Sequence, residues 1–214
     1  MDTSIPLGNQ PNFSIPVALK RLFDFCSGII LLTIFGIPML GLALWIKWDS
    51  PGPIIYKQVR VGLNGKQFKV WKFRTMVENA GELQKELEAK NEVDGGVLFK
   101  IKEDPRITKA GKILRRYSLD ELPQIINVLK GEMSLVGPRP LPLRDVEKFA
   151  PEHHFRHTVI PGMTGLWQVS GRSDTDSNYI FTMDFKYIQN WSLRLDFWIL
   201  LKTVVVVLRS TGAY

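Results

Sequence analysis

LFDFCSGIILLTIFGIPMLGLALWIKW, the stretch from Leu22 to Trp48, decides how this chain folds. Its ionisable groups are Asp24 and Lys47, with Cys26 as the one thiol. A helix of about 20 apolar residues crosses a bilayer, so the run is long enough to do so. A cleavable leader is a poor fit: the run is too long, and no small-residue cleavage site opens a separate mature domain. Pro38 lies mid-run between Gly36 and Gly41, where it removes a helical hydrogen bond and predicts a kink. Basic residues flank both ends, Lys20 and Arg21 before, then Lys47, Lys57, Arg60 and Lys66. A through-going span should gather Lys and Arg on one side. A broken helix that enters and leaves by the same face accounts for the proline and for both flanks. A kinked single span is the other fold these residues allow.

Working outward, residues 1–18 are polar and carry prolines, which predicts a flexible N-terminus ahead of a membrane segment at 19–48. Beyond the turn cluster Ser50-Pro51-Gly52-Pro53, Ile54-Ile55-Tyr56 and Phe68 to Arg74 read as strands, with Asn64-Gly65 as the hairpin turn. Glu78 to Lys90 is a polar helix with favourable Glu/Lys spacings, ended by Asp94-Gly95-Gly96. A basic helix follows over Lys109 to Arg116. A second runs from about Pro123 to Lys130, with Ile125, Ile126 and Leu129 at core spacing and Gly131 as its stop. Loops are expected at 136–140, 160–162 and 165–173. The tail from 191 carries Arg194, Asp196, Lys202 and Arg209, which argues for an interfacial or core helix over a deep span. The expected fold class is α+β: a mostly helical domain at 49–190 with a short β-hairpin, a membrane helix before it and an amphipathic helix at 191–214.

With 45% hydrophobic and 23% charged residues, the 214-residue chain can bury a core and is not a disordered polymer. A net charge of +7 calls for anionic partners: phosphate ligands, lipid headgroups or nucleic acid. No nucleic-acid-binding motif accompanies the charge, and the long apolar run disfavours that partner. The single cysteine excludes an intrachain disulfide and any two-cysteine metal site.

Ser118-Leu119-Asp120-Glu121-Leu122-Pro123 is the most informative short motif. It reads as a capping box, with Ser118 as N-cap and Glu121 three residues on, or as a helix starting at Asp120 with Pro123 in the tolerated first turn. Either way two carboxylates lie at a helix N-terminus, where free N–H groups draw anions. Neighbouring side chains diverge on a helix, so one carboxylate is free to attack while the other holds a metal. Arg106, Lys109, Lys112, Arg115, Arg116, Lys130 and Arg139 surround the motif in sequence. Most fit a solvated helix face. Arg139, stiffened by Pro138 and Pro140, suits phosphate through its planar fork of donors. His153, His154 and His157 are either metal ligands or part of a surface helix. Trp167 and Gln168 offer a ring and an amide to a nucleobase or sugar, although Trp167 suits a core equally well. Gly162, Gly165 and Gly171 do not match a Walker or Rossmann phosphate loop.

In order along the chain stand Lys20-Arg21-Leu22-Phe23-Asp24, Gly52-Pro53, Gln58-Val59-Arg60-Val61-Gly62 and Lys72-Phe73-Arg74-Thr75-Met76. Asp104-Pro105-Arg106-Ile107-Thr108, Ser118 to Gln124, Asn127 to Gly131, Ser134 to Pro140 and Pro161 to Arg172 follow. Together they resemble the bacterial sugar transferase family, the monotopic phosphoglycosyl transferases, from about Lys20 to the C-terminus. The resemblance implies a re-entrant helix broken at a proline, matching Pro38, although many members carry Ser-Pro where this chain has Ile37-Pro38. It implies transfer of a sugar 1-phosphate from a UDP-sugar to polyprenyl (undecaprenyl) phosphate, the first membrane step of exopolysaccharide or lipopolysaccharide assembly. Asp120 is then the nucleophile that forms an aspartyl-phosphosugar, and Glu121 helps to hold Mg²⁺. Lys72, Arg74, Arg115 and Arg139 would neutralise phosphate, with Arg60, Pro138, Gln168 and Arg172 completing the expected substrate-binding set. The implied location is the cytoplasmic face of the bacterial inner membrane, and a homodimer is compatible with it. Starting just before the re-entrant segment, the chain is expected to be the minimal form of the family. The rival of another class is a non-catalytic membrane adaptor that binds anionic lipid.

Overall fold

The apolar run is one helix. In the computed structural model, which describes residues 14–87, 104–171 and 177–209, α1 extends over Ser14–Asp49 with Pro38 inside it. It begins ahead of the expected boundary at residue 19, and the proline does not interrupt the helical assignment. Among the described residues, α1 is the one helix long and apolar enough to cross a membrane. Leu22, Ile30, Ile34, Ile37, Leu40, Leu44 and Trp48 are exposed along it, whereas Asp24, Gly28 and Ile46 are buried.

Both ends of α1 are tied to the rest of the chain. Arg21 donates to the carbonyls of Val128 at 2.7 Å and Leu129 at 3.2 Å. Those groups close α4 (Gln124–Lys130), so the guanidinium meets carbonyls that have no partner inside the helix. Lys20 pairs with Asp196 at 2.6 Å, and Asp24 accepts from the Leu135 N–H at 3.0 Å. At the other end, Asp49 accepts from the Ala110 N–H at 3.0 Å and so caps α3 (Lys109–Arg116). Arg74 donates to the carbonyls of Ile46 and Ser50 at 3.3 and 2.6 Å, closing α1 itself.

Strands β1 (Ile55–Val61) and β2 (Gln67–Phe73) pair antiparallel, Ile55 opposite Phe73 and Val61 opposite Gln67. The first strand is longer than expected, because every residue from Ile55 to Val61 finds a partner across the hairpin. Asn64 (φ 53°) and Gly65 (φ 73°) make the turn in the left-handed region that these two residue types tolerate best. Helix α2 (Ala80–Leu87) falls inside the expected polar helix, while Asp94-Gly95-Gly96 lies outside the described residues. Helix α3 has the predicted bounds, and α4 stops at Gly131 (φ 85°) as predicted.

The expected loops at 136–140, 160–162 and 165–173 are only partly loops. Strand β3 (Ser134–Val136) runs parallel to β4 (Gly162–Thr164), and α6 (Leu166–Ser170) follows. Three-residue strands bounded by Gly and Pro carry no periodicity to detect. What forms them is close approach: a Cβ on Gly162 would lie 2.7 Å from Gly137 Cα. Helix α5 (Leu143–Val146), a 3-10 stretch at Pro151–Thr158, α7 (Ser177–Gln189) and α8 (Leu193–Leu208) complete the described elements. Two-stranded sheets are marginal alone and need a helical cover. Val70, Val128, Met133, Val136, Tyr187 and Ile199 supply it by burying β2, α4, β3, α7 and α8 against one another. The tail helix thus keeps one side in the core through Ile199, while Phe197, Leu201, Val204 and Leu208 are exposed.

Gly111 fixes where α3 sits. A Cβ there would overlap the Thr75 carbonyl oxygen and lie 2.8 and 2.9 Å from the Thr75 carbonyl carbon and Cα. Helix propensity alone favours Gly111→Ala by about 1 kcal/mol. Overpacking against unyielding backbone reverses the sign, for an expected net loss of about 1–3 kcal/mol. Thermal unfolding in detergent should show a lower Tm for Gly111→Ala, and a raised Tm would refute the close approach.

Candidate active site

Asp120 and Glu121 stand in a 3-10 turn, Leu119–Glu121, between α3 and α4. Ser118 enters that turn with φ 54°, in the left-handed region, and its hydroxyl makes no capping bond. An N-cap needs extended backbone, so the capping-box reading is corrected here. The helix-start reading is refined as well: Asp120 and Glu121 precede α4, and Pro123 is its N-cap. The first amides of α4 close onto Leu122 and Pro123, so charge compensation for the two carboxylates comes from side chains.

Those side chains arrive from separate elements. Lys72, near the end of β2, reaches Glu121 Oε1 at 2.8 Å and lies 3.9 Å from Asp120 Oδ2. Arg139, on the turn after β3, forks onto both oxygens of Glu121, with Nη1 to Oε2 at 3.1 Å. Arg115, from the last turn of α3, donates to Thr75 Oγ1 at 2.9 Å and adds positive potential at Asp120. Arg60, on β1, donates to the Pro140 carbonyl at 3.0 Å and so sits behind the Arg139 turn. Pro138 is buried in that turn, and its carbonyl accepts from the Gly162 N–H at 2.9 Å. Gln168 is buried on α6 beside Gly165, at the point where Gly165 approaches the Gly137 carbonyl.

Arg74 stands apart from the other residues of the expected substrate-binding set. Arg74 is committed to the C-terminal carbonyls of α1 and does not join the Asp120–Glu121 cluster. Strand β2 ends at Phe73, so the alternation that would keep Arg74 with Lys72 no longer applies. Arg172 lies outside the described residues. The three histidines do not form a metal centre. His153 stacks on Phe181 at 3.8 Å, and His157 stacks on Phe149 and is buried.

The electrostatics divide the two carboxylates. Burial alone would push Glu121 upward, but Arg139 and Lys72 outweigh it and hold this carboxyl well below the usual range. Asp120 is pushed up by burial, an effect that Lys72 moderates and the Glu121 charge reinforces. Lys72 is pulled below the ordinary lysine value, again chiefly by burial. Glu121 is therefore a firmly ionised anchor. Asp120 is a poorly solvated, more basic carboxylate beside cations.

The sequence profile of the bacterial sugar transferases matches residues 15–210. The chain belongs to that family. It is 48% identical over 200 residues to an undecaprenyl-phosphate galactose phosphotransferase of Salmonella typhimurium, covering 92% of this chain and 42% of that protein. Identity to the galactosyl transferase CpsE of Streptococcus agalactiae is 47% over 195 residues, 91% of this chain and 43% of the relative. Identity to the exopolysaccharide production protein ExoY of Sinorhizobium fredii is 40% over 198 residues, 91% of this chain and 88% of the relative. The chain thus spans about two fifths of the length of the first two and most of the third.

Sequence reasoning missed several residues that support the site and its frame in this member of the family. Thr75 holds Arg115, and Asp196 gathers Lys20, Tyr187 and Trp191. Asp184 meets Arg156 in a buried ion pair at 2.7 Å. The usable signal was an acidic residue isolated in an apolar helix: Asp184 in α7 and Asp196 in α8.

His157 makes the fold sensitive to acid. Burial lowers its pKa from 6.5 to about 4, with Arg156 and His154 adding to the shift. The unfolded chain then binds the proton before the folded one does. Stability from this group is complete above pH 6.5 and declines as pH falls toward about 4. His157→Phe keeps a ring against Phe149 and removes the titration. Its Tm should fall less steeply than the wild-type Tm over that pH window, and parallel slopes would exclude His157 as the cause.

Proposed function

We propose that this chain transfers a sugar 1-phosphate from a UDP-sugar to polyprenyl phosphate through a covalent intermediate on Asp120. The observation that carries the proposal is the unequal pair: a buried Asp120 beside a Glu121 that Lys72 and Arg139 hold ionised. The names of the relatives supply the substrate class. In the first step an Asp120 oxygen attacks the phosphorus that bears the sugar. The bond from that phosphorus to the bridging oxygen breaks, and UMP leaves with the electron pair. A phosphate oxygen of the polyprenyl acceptor then attacks the same phosphorus and expels the Asp120 carboxylate. Lys72, Arg115 and Arg139 offset the negative charge that would otherwise keep donor and nucleophile apart.

Mg²⁺ fits the donor set. Among the described residues no three His, Cys, Asp or Glu side chains converge into an all-protein cage. One or two carboxylates suffice for Mg²⁺ when substrate phosphates and water complete its shell, and Glu121 would be the residue that holds it. Such an ion would supply positive charge to offset the donor's diphosphate. Asp120→Asn and Glu121→Gln should each abolish UMP release with the fold intact by circular dichroism, and EDTA should do the same to the wild type. Wild-type protein given radiolabelled UDP-sugar without lipid acceptor should become labelled, whereas Asp120→Asn should not. Turnover by Asp120→Asn would refute the covalent step, whereas a wild type that releases no UMP would favour an adaptor role.

We also infer that α1 re-enters the cytoplasmic face of the inner membrane instead of crossing it. A crossing helix carries its two ends about 30 Å apart across the hydrocarbon. Here Arg21 and Asp24 near one end and Asp49 near the other bond to the same domain, which favours a return to one face. Exposed Trp48 and Trp198 suit headgroup depth, and the exposed apolar residues of α8 suit the same interface. Cysteines at positions 14 and 82 in a Cys26→Ser background should both resist an impermeant thiol reagent in intact cells and react after permeabilisation. Labelling at position 14 alone in intact cells would establish a true span.

A further inference from the structure

Arg156 and Asp184 are an ion pair with side chains only 2% and 1% exposed. Burying such a pair costs several kcal/mol per ion before attraction returns it, so a pair like this is weak evidence for stability and asks for another use. Arg156 Nη1 is moreover buried without a protein partner, which adds to the cost. The use is visible at Nη2, which meets Asp184 at 2.7 Å and donates to the Arg139 backbone carbonyl at 2.7 Å. Phe149 and Phe181 flank the guanidinium at 5.9 and 5.8 Å.

The turn that Arg156 grips is short of backbone donors of its own. Pro138 and Pro140 have no N–H to donate, so their segment depends on what its carbonyls accept. Each of three successive carbonyls receives one donor: Gly162 N–H at Pro138, Arg156 at Arg139 and Arg60 at Pro140. We propose that Arg156, oriented by Asp184, is a positioning residue that fixes the Arg139 backbone and thereby aims the Arg139 guanidinium at Glu121. Arg156 touches neither carboxylate of the Asp120–Glu121 pair in its described contacts, so it acts through Arg139. This role rests on the phosphotransferase reading above. Arg156→Lys retains the cation but loses the fork, and Asp184→Asn leaves Arg156 in place without its counter-charge.

The experiment is a double-mutant cycle. UMP release is measured with UDP-galactose, or whichever member of a UDP-sugar panel the wild type turns over, and undecaprenyl phosphate in detergent. Arg156→Lys should lower kcat by about tenfold, with KM within about twofold of wild type. In an Arg139→Lys background the same change should cost less than about twofold, because the group it positions is already gone. A full tenfold loss in both backgrounds, or no loss in the wild type, would overturn the proposal. Should Arg156→Lys fail to fold, Asp184→Asn replaces it in the cycle, with the same losses expected and the same results overturning the proposal. A parallel cycle reads Tm, which needs no turnover. The Tm loss of Arg156→Lys should shrink in a Glu121→Gln background, and an unchanged loss would refute the coupling. A wild type that releases no UMP from any donor would sink the phosphotransferase reading and leave the Tm cycle to decide the positioning role.

Discussion

A carboxylate taken out of water has to be compensated, and Glu121 is compensated from two directions. Lys72 comes from β2, and Arg139 comes from a turn 18 residues further along the chain than Glu121. Each partner offsets part of the cost of holding this largely desolvated charge. The β-hairpin, the 3-10 turn and the β3 exit are therefore held together at one point. Asp120 shares the cations without being gripped by them, since Lys72 is 3.9 Å away and Arg139 is spent on Glu121. One carboxylate is used to build the cluster, and its neighbour is left without a close ion-pair partner.

The membrane helix belongs to the same construction. Arg21 satisfies the carbonyls at the end of α4, the helix whose other end follows Asp120 and Glu121. Asp24 holds the N–H of Leu135 on β3, the strand that leads to Arg139. At the far end, Asp49 caps α3, the helix that carries Arg115. The elements that carry or adjoin these residues, α3, α4 and β3, thus each have a polar bond to α1. Arg74 extends the arrangement by fastening the end of α1 to the residue after β2. The placement of α1 and the geometry at Asp120 are thereby linked through the elements between them.

Local chemistry made much of this legible without coordinates. The apolar run of α1, the bounds of α3, the glycine stop of α4 and the Asn64-Gly65 turn are each decided by neighbours a few residues away. The Asp120–Glu121 pair, Lys72 and Arg139 were singled out through motif order, and the fold brings the four together, with Lys72 and Arg139 bonded to Glu121. The β3–β4 pair was not legible. Its strands owe their existence to two glycines, Gly137 and Gly162, that approach across 25 residues of sequence. Close packing of backbone leaves no periodic mark on either segment.

Tertiary structure alone decided what the charged side chains do. A basic residue announces that it needs an anion or a carbonyl, but its long side chain does not say which one. Arg74 fits a phosphate as well as a helix end in sequence, and the end of β2 at Phe73 together with the approach of α1 sends it to the helix. Arg156 and Asp184 give no local hint of each other. Folding α7 over the 3-10 stretch buries both, and burial then makes pairing obligatory. Sequence by itself determined which elements form and which residue types supply the chemistry, since those depend on short-range backbone and solvation preferences. The partner of each buried charge was left to the fold, because compensation is settled only when water has been excluded.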